Sequence, residues 1–120
     1  MDIHELEPAE LNDATGHSKR LHPWPSLNAP FEGAFSVIRP HTASPRHAHH
    51  EGEIFIAASG TAVVESRGER RPFRAGDVVH FPPGQEHQIR NETDTDFTMF
   101  SVWWDTDMAK VFLARHESES

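Results

Sequence analysis

An all-β fold, a barrel or sandwich of short strands, is what this sequence predicts, and two observations carry it. Short apolar runs alternate with polar residues, as on strands with one face buried. Nine prolines and seven glycines punctuate those runs, which favours strands and turns over helices. Ten histidines occur in 120 residues, four of them between positions 41 and 50, and clustering of that kind points to a metal.

The elements follow in order. Residues 1–30 read as an arm: an acidic start, a helical turn over 8–11, then the proline-rich 22–30, which runs extended along the body with Trp24 as anchor. Residues 31–39 are the first firm strand, ended by Pro40, and 41–46 are a polar turn. Residues 53–59 form a strong strand, and Ser59-Gly60 turns it into 61–65 as a hairpin. Arg67-Gly68-Glu69 is the next turn; 78–81, 88–90 and 97–104 are further strands. Residues 105–116 place Met108, Val111, Phe112 and Arg115 at helical spacing behind an N-cap at Asp105, Thr106 or Asp107, predicting one amphipathic helix on the outside of the barrel. The final Glu-Ser-Glu-Ser is expected to be disordered. The domain division is an arm (1–30), a barrel (31–104) and a helix (105–116) in one unit.

Bulk composition removes several function classes. Eleven basic residues against nineteen acidic ones give a net charge of −8, which argues against a nucleic-acid or anionic-membrane partner. The absence of cysteine excludes disulfides, thiolate nucleophiles and thiolate-bound zinc. No apolar run resembles a secretory signal or a spanning helix, so the expected address is cytoplasmic.

The chemistry concentrates in residues 47–60. Side chains alternate along an extended chain, so His47 and His49 share a face, and Glu53 joins them if the backbone stays extended or bends. His87 follows the turn Pro82-Pro83-Gly84, which would set its angle of entry onto a neighbouring strand. Imidazoles with one carboxylate suit Fe(II), Mn(II), Ni(II) or Zn(II), with zinc or iron favoured here, and leave coordination sites for water, oxygen or substrate.

These residues resemble the cupin superfamily. Its first motif, G-x5-H-x-H-x3-E-x6-G, is met by His47, His49, Glu53 and Gly60, with His41 in place of the leading glycine. Its second, G-x5-P-x-G-x2-H-x3-N, is met by Gly76, Pro82, Gly84, His87 and Asn91. The resemblance implies a jelly-roll barrel of six or seven strands with one divalent metal near its mouth, bound by His47, His49, Glu53 and His87. Asn91 would be structural, and Glu51 and Glu86 rim charges. His41 and His50 read as solvent-facing loop residues, with an acid–base role near the ion as the alternative. His50 and Trp103, the latter lining an apolar pocket by the metal, are the catalytic candidates. The face taken by His80 is left open by parity.

Cupins catalyse many reactions. The first expectation is a metal-dependent enzyme that chelates a small substrate, by oxygenase or Lewis-acid chemistry. The run through Val-Trp-Trp-Asp also resembles cupins that partner methionyl-tRNA-synthetase-like proteins in natural-product pathways. That resemblance implies N–N bond formation from an aminoacyl ester of an N-hydroxylated diamine, with a synthetase-like partner. A non-catalytic binding module is the third alternative. A homodimer is expected, since small barrels associate and the adjacent Trp103 and Trp104 need cover on both faces.

Overall fold

The structure, a computed structural model, describes residues 1–3, 5, 7, 11, 18–22, 24, 27 and 29–119. Apart from Leu11, the helical turn expected over 8–11 lies outside the described residues, as do His4 and His17.

Among the described residues nine strands and one helix follow in order. They are β1 (Ser18–Arg20), β2 (Phe31–Ile38), β3 (Thr42–Ala43), β4 (Gly52–Ser59), β5 (Thr61–Ser66), β6 (Glu69–Arg74), β7 (Val78–Phe81), β8 (His87–Asn91), β9 (Phe97–Trp104) and α1 (Thr106–Glu119). They form a five-stranded sheet, β1-β2-β9-β4-β7, facing a four-stranded sheet, β3-β8-β5-β6. Every pairing is antiparallel. This is the all-β jelly-roll barrel that the sequence predicts, with an N-terminal strand and a C-terminal helix.

Strand alternation builds the core. From the five-stranded sheet Ile38, Phe55, Ala57, Phe97 and Met99 point inward, against Ala62, Val64, Phe73 and Ile89 of the other sheet. Phe97 and Ile89 are fully buried, so apolar packing closes one end of the barrel. Towards the other end polar side chains take inward positions: Ser36, Glu53, His87 and Ser101 are all buried. That switch makes room for a site.

Five expectations change. The 59–60 turn does not make a hairpin: β4 pairs with β9 and β7, and β5 with β6 and β8. The chain instead passes from one sheet to the other at Gly60, whose φ is 82°. A Cβ there would lie 2.7 Å from the Asp96 carbonyl oxygen, so the corner requires glycine. The real hairpin joins β5 to β6 through Arg67 and Gly68, both at positive φ. β6 has little alternation to announce it, and its Pro72 is tolerated because β6 is a sheet edge. Residues 42–47 are more than a turn, since they run beside β8 through the β3 pairs, Ser44 N to Ile89 O (2.8 Å), and a His47–His87 bridge. The arm contributes β1, and further along it Leu27 N donates to Trp24 O (2.9 Å). His22 is tied down there, its amide donating to Glu32 Oε1 (3.1 Å) and its Nε2 lying 3.1 Å from Phe31 O.

The helix differs most. Asp105 caps it, Oδ1 accepting from the Asp107 and Met108 amides at 2.8 and 3.0 Å. α1 continues through Glu119, beyond the expected end at 116 and into the tail expected to be disordered. Yet Met108, Val111, Phe112 and Leu113 are 55–71% exposed, and the helix makes no extensive packing with any strand. Its apolar positions therefore do not cover the barrel. No helix among the described residues is long and apolar enough to cross a membrane.

His41 shows how the missing motif glycine is accommodated. It takes φ 57° in the turn closed by Thr42 N to Arg39 O, and its Nε2 sits 2.7 Å from Asp94 Oδ1. Asn91 is structural, as expected. Fully buried, it donates through Nδ2 to the carbonyls of Ile38 and Thr95, both at 2.8 Å, and accepts from the Thr93 amide and hydroxyl. Asn91→Ala should therefore lower unfolding stability by about 2–3 kcal/mol in urea titrations, because several buried groups lose their partner.

Candidate metal centre

Three segments bring the centre together. His47 and His49 precede β4 along the edge of the four-stranded sheet. Their course is fixed by backbone bonds: His47 N to His87 O (3.0 Å), His87 N to His47 O (2.8 Å) and Gly84 N to His49 O. The chain bends at residues 50 and 51 and enters β4, so Glu53 projects from the opposite sheet. That bend is the alternative the spacing allowed. His87 opens β8 directly after the 82–84 turn, and its ring stacks on Phe81 (centroids 3.9 Å apart, 8° between planes) and meets Phe55 edge-on at 5.2 Å.

The result is a His/His/Glu cluster able to hold a metal. One donor atom each from His49, Glu53 and His87 lie within 4.8 Å of one another. His49 is half-buried, while the Glu53 and His87 side chains are only 5% and 2% exposed. His47 stands beside the cluster, its ring stacked on His49 at 5.3 Å and 6.4 Å from that of His87. Although His47 is exposed as a residue, the partial burial of its ring and then the neighbouring His49 and His87 hold its pKa below the ordinary 6.5, against the pull of Glu53. At neutral pH His47 is thus a neutral imidazole, the form that binds metals.

The donor set fits a divalent ion on one internal test. Glu53 Oε1 and His87 Nε2 are buried without a hydrogen-bond partner, although they lie 2.9 Å apart. Their approach is close, but not aligned as a hydrogen bond. Meanwhile His87 Nδ1 lies 2.9 Å from the Gln85 carbonyl oxygen, which directs Nε2 towards the carboxylate. Two buried polar atoms placed face to face without a hydrogen bond suit a cation bound by both. Adjacent donors on an octahedral ion at ~2.1 Å would be ~3.0 Å apart, close to the spacing seen.

The cluster opens into a cavity of about 210 Å³ lined by His47, His49, Glu53 and Trp103. Other candidates fall elsewhere. The His50 side chain is 87% exposed, with Nδ1 3.5 Å from Glu51 Oε1, and is not among the cavity-lining residues. His41 is held by Asp94, and Glu86 lies at the surface 3.6 Å from Arg46. His80 faces outward and stacks on Trp104 (6.3 Å, 11°). Trp104 in turn lies across Gly52, where a Cβ would come within 2.9 Å of the indole.

Sequence reasoning missed part of the lining. Ser18 and Arg20 of β1, with Ser36 and Ser101, complete the cavity wall. β1 has three residues and no apolar alternation, so only its pairing with β2 reveals that its side chains reach the site.

With fold and site in view, the comparisons agree. The family model described as "Cupin domain" matches residues 34–103, and the chain belongs to the cupin family. It is similar over 97% of its length to a Cupin 2 conserved barrel domain protein from Salinispora arenicola CNS-205, at 50% identity and a TM-score of 0.85, covering 98% of that chain. It is similar over 98% of its length to the plu4264 protein from Photorhabdus luminescens, at 35% identity and 0.84, covering 99% of that chain. An "Oxalate-binding protein" from Thermotoga maritima is 36% identical over 55 residues, which is 44% of this chain and 46% of that protein's length.

Two outcomes test the centre. Glu53→Gln gives His87 Nε2 an amide donor, so the metal-free variant should melt above metal-free wild type, while added Zn(II) raises the melting temperature of wild type far more than that of the variant. Second, the depressed pKa of His47 means that, as pH falls through about 6.5, the unfolded chain gains its proton before the folded one. Metal-free wild type should therefore lose more stability over that interval than His47→Gln, read as urea midpoints.

Proposed function

We propose that this protein is a metal-dependent cupin enzyme that binds a small chelating substrate at one divalent ion held by His47, His49, Glu53 and His87. The observation that carries the proposal is the buried, unpartnered pair Glu53 Oε1 and His87 Nε2. Three imidazoles and a carboxylate suit Fe(II), Mn(II), Ni(II) or Zn(II), with iron or zinc preferred. Such an ion supplies Lewis acidity, or oxygen activation where it is redox-active. The chain's own residues position and dry the site. Gln85 O holds the His87 tautomer, Phe81 and Phe55 pack its ring, and Trp103 walls the cavity where substrate would sit. His50 enters only as a proton carrier at the rim.

Metal analysis and turnover test this. His49→Ala and Glu53→Ala should each lose at least about tenfold in metal affinity while keeping a folded barrel; full metal retention in both refutes the ligand set. His50→Ala should retain its metal, and unchanged turnover would remove it from catalysis. Stoichiometric iron with oxygen uptake selects the oxygenase, and zinc the Lewis-acid reaction.

A binding module without catalysis has one specific support, the printed name of the Thermotoga maritima relative. Tight ligand binding with no turnover would select it. N–N bond formation with a synthetase-like partner is a narrower form of the enzymatic reading, tested by hydrazine production from an aminoacyl ester of an N-hydroxylated diamine.

The proposal includes a homodimer. The outer face of the five-stranded sheet carries a hollow of about 380 Å³ lined by Leu21, Trp24, Phe35, Ile56, Phe100 and Val102. The apolar positions of α1 are also uncovered. One chain thus holds two uncovered apolar surfaces, and a second copy can bury both. Light scattering should give twice the chain mass for wild type, and a smaller mass for Phe100→Glu.

A further inference from the structure

Among the described residues, Arg20 lines the cavity without an ion pair to any carboxylate. The β1–β2–β9–β4 register sets Arg20 beside Ala34, Ala34 beside Ser101, and Ser101 beside Phe55. Paired positions in adjacent strands share a face of the sheet, and this row faces the cavity, which Arg20 lines. The guanidinium carbon sits 5.6 Å from the centre of the Trp103 ring. Trp103 is itself the strand partner of Glu53. One indole therefore separates the guanidinium from the metal-binding cluster.

The surroundings suit a bound anion. Arg39, Arg46, Arg70, Arg71 and Arg90 each have a carboxylate partner, whereas Arg67 and Arg74, both exposed, have none among the described residues. Among the described residues no carboxylate pairs with Arg20, whose contact is the indole face. Of the serines at the cavity wall, Ser101 stands in the Arg20 row between Ala34 and Phe55, and Ser36 stands one row further in, beside Ser18. Ser36 and Ser101 are each only 6% exposed, and Ser18 Oγ lies 2.7 Å from Ser36 Oγ. Buried hydroxyls and a planar five-donor cation form a recognition surface for a carboxylate. A cavity of about 210 Å³ has room for a small organic acid.

We propose that Arg20 is a specificity-determining residue, and that the ligand is a small dianion which chelates the ion with one end and presents a carboxylate to Arg20 with the other. The inference rests on the metal-site reading above and adds the ligand class to it. The Trp103 indole lies against the exposed guanidinium, and that contact favours one placement of the cation.

The test uses full-length protein loaded with redox-inert Zn(II), with metal content measured on every sample. Lactate and malate are the probes: each offers an α-hydroxy acid for chelation, and malate adds one carboxylate. By calorimetry, wild type should bind malate more tightly than lactate. Arg20→Gln should weaken malate at least about tenfold and leave lactate and zinc content unchanged, and Arg20→Lys should recover part of the loss. Malate affinity unaltered in Arg20→Gln, or an equal loss for both probes, overturns the role of Arg20 while zinc content leaves the metal site standing. Wild type that takes up no zinc overturns the metal site and this inference together.

Discussion

Glu53 and His87 face each other inside the barrel with nothing between their nearest polar atoms. Burial of both atoms without a hydrogen bond is costly, since the polar groups of a carboxylate and an imidazole have been taken from water. The rest of the molecule makes the encounter unavoidable. Glu53 belongs to one sheet and His87 to the other, and the stacked Phe81 prevents His87 from turning away. The backbone bridge between His47 and His87 then draws the preceding histidines to the same place. An ion there would join the two sheets at the end where apolar packing thins, so its binding energy would also be folding energy.

The sheets divide the labour. Their inward apolar side chains close one end of the barrel, and the inward polar ones form the cavity wall at the other. Because each strand alternates, a strand that supplies core at one end supplies lining further along. β9 shows this within eight residues: Phe97 and Met99 are core, whereas Ser101 and Trp103 line the cavity. The site is therefore built on paired strands, which suits the rigid placement of donors.

Much of this was legible in the sequence, for identifiable reasons. β4, β7 and β9 are short apolar runs between strong turn signals, β8 follows the Pro82-Pro83-Gly84 turn, and their bounds fall within a residue or two of expectation. The two histidine motifs marked the cluster because their spacing reflects positions on the same few strands. What escaped depended on partners distant in sequence. That β4 and β5 lie in different sheets follows from pairings with β7, β8 and β9, which a turn at Ser59-Gly60 does not reveal. β1 has no periodicity, so Arg20 was invisible as a lining residue. The helix was expected from its spacing and cap, and it forms, but periodicity cannot say whether a face meets its own barrel.

The alternation of β9 has one more consequence, at its end. Trp103 and Trp104 are neighbours in the chain, yet one borders the cavity and the other lies outside against Gly52 and His80. Trp24, the remaining indole, lines the outer hollow. The protein thus carries native optical reporters on both sides of a single sheet. Events within the barrel and events on its outer surface therefore fall beside different indoles, which single-tryptophan variants would report separately.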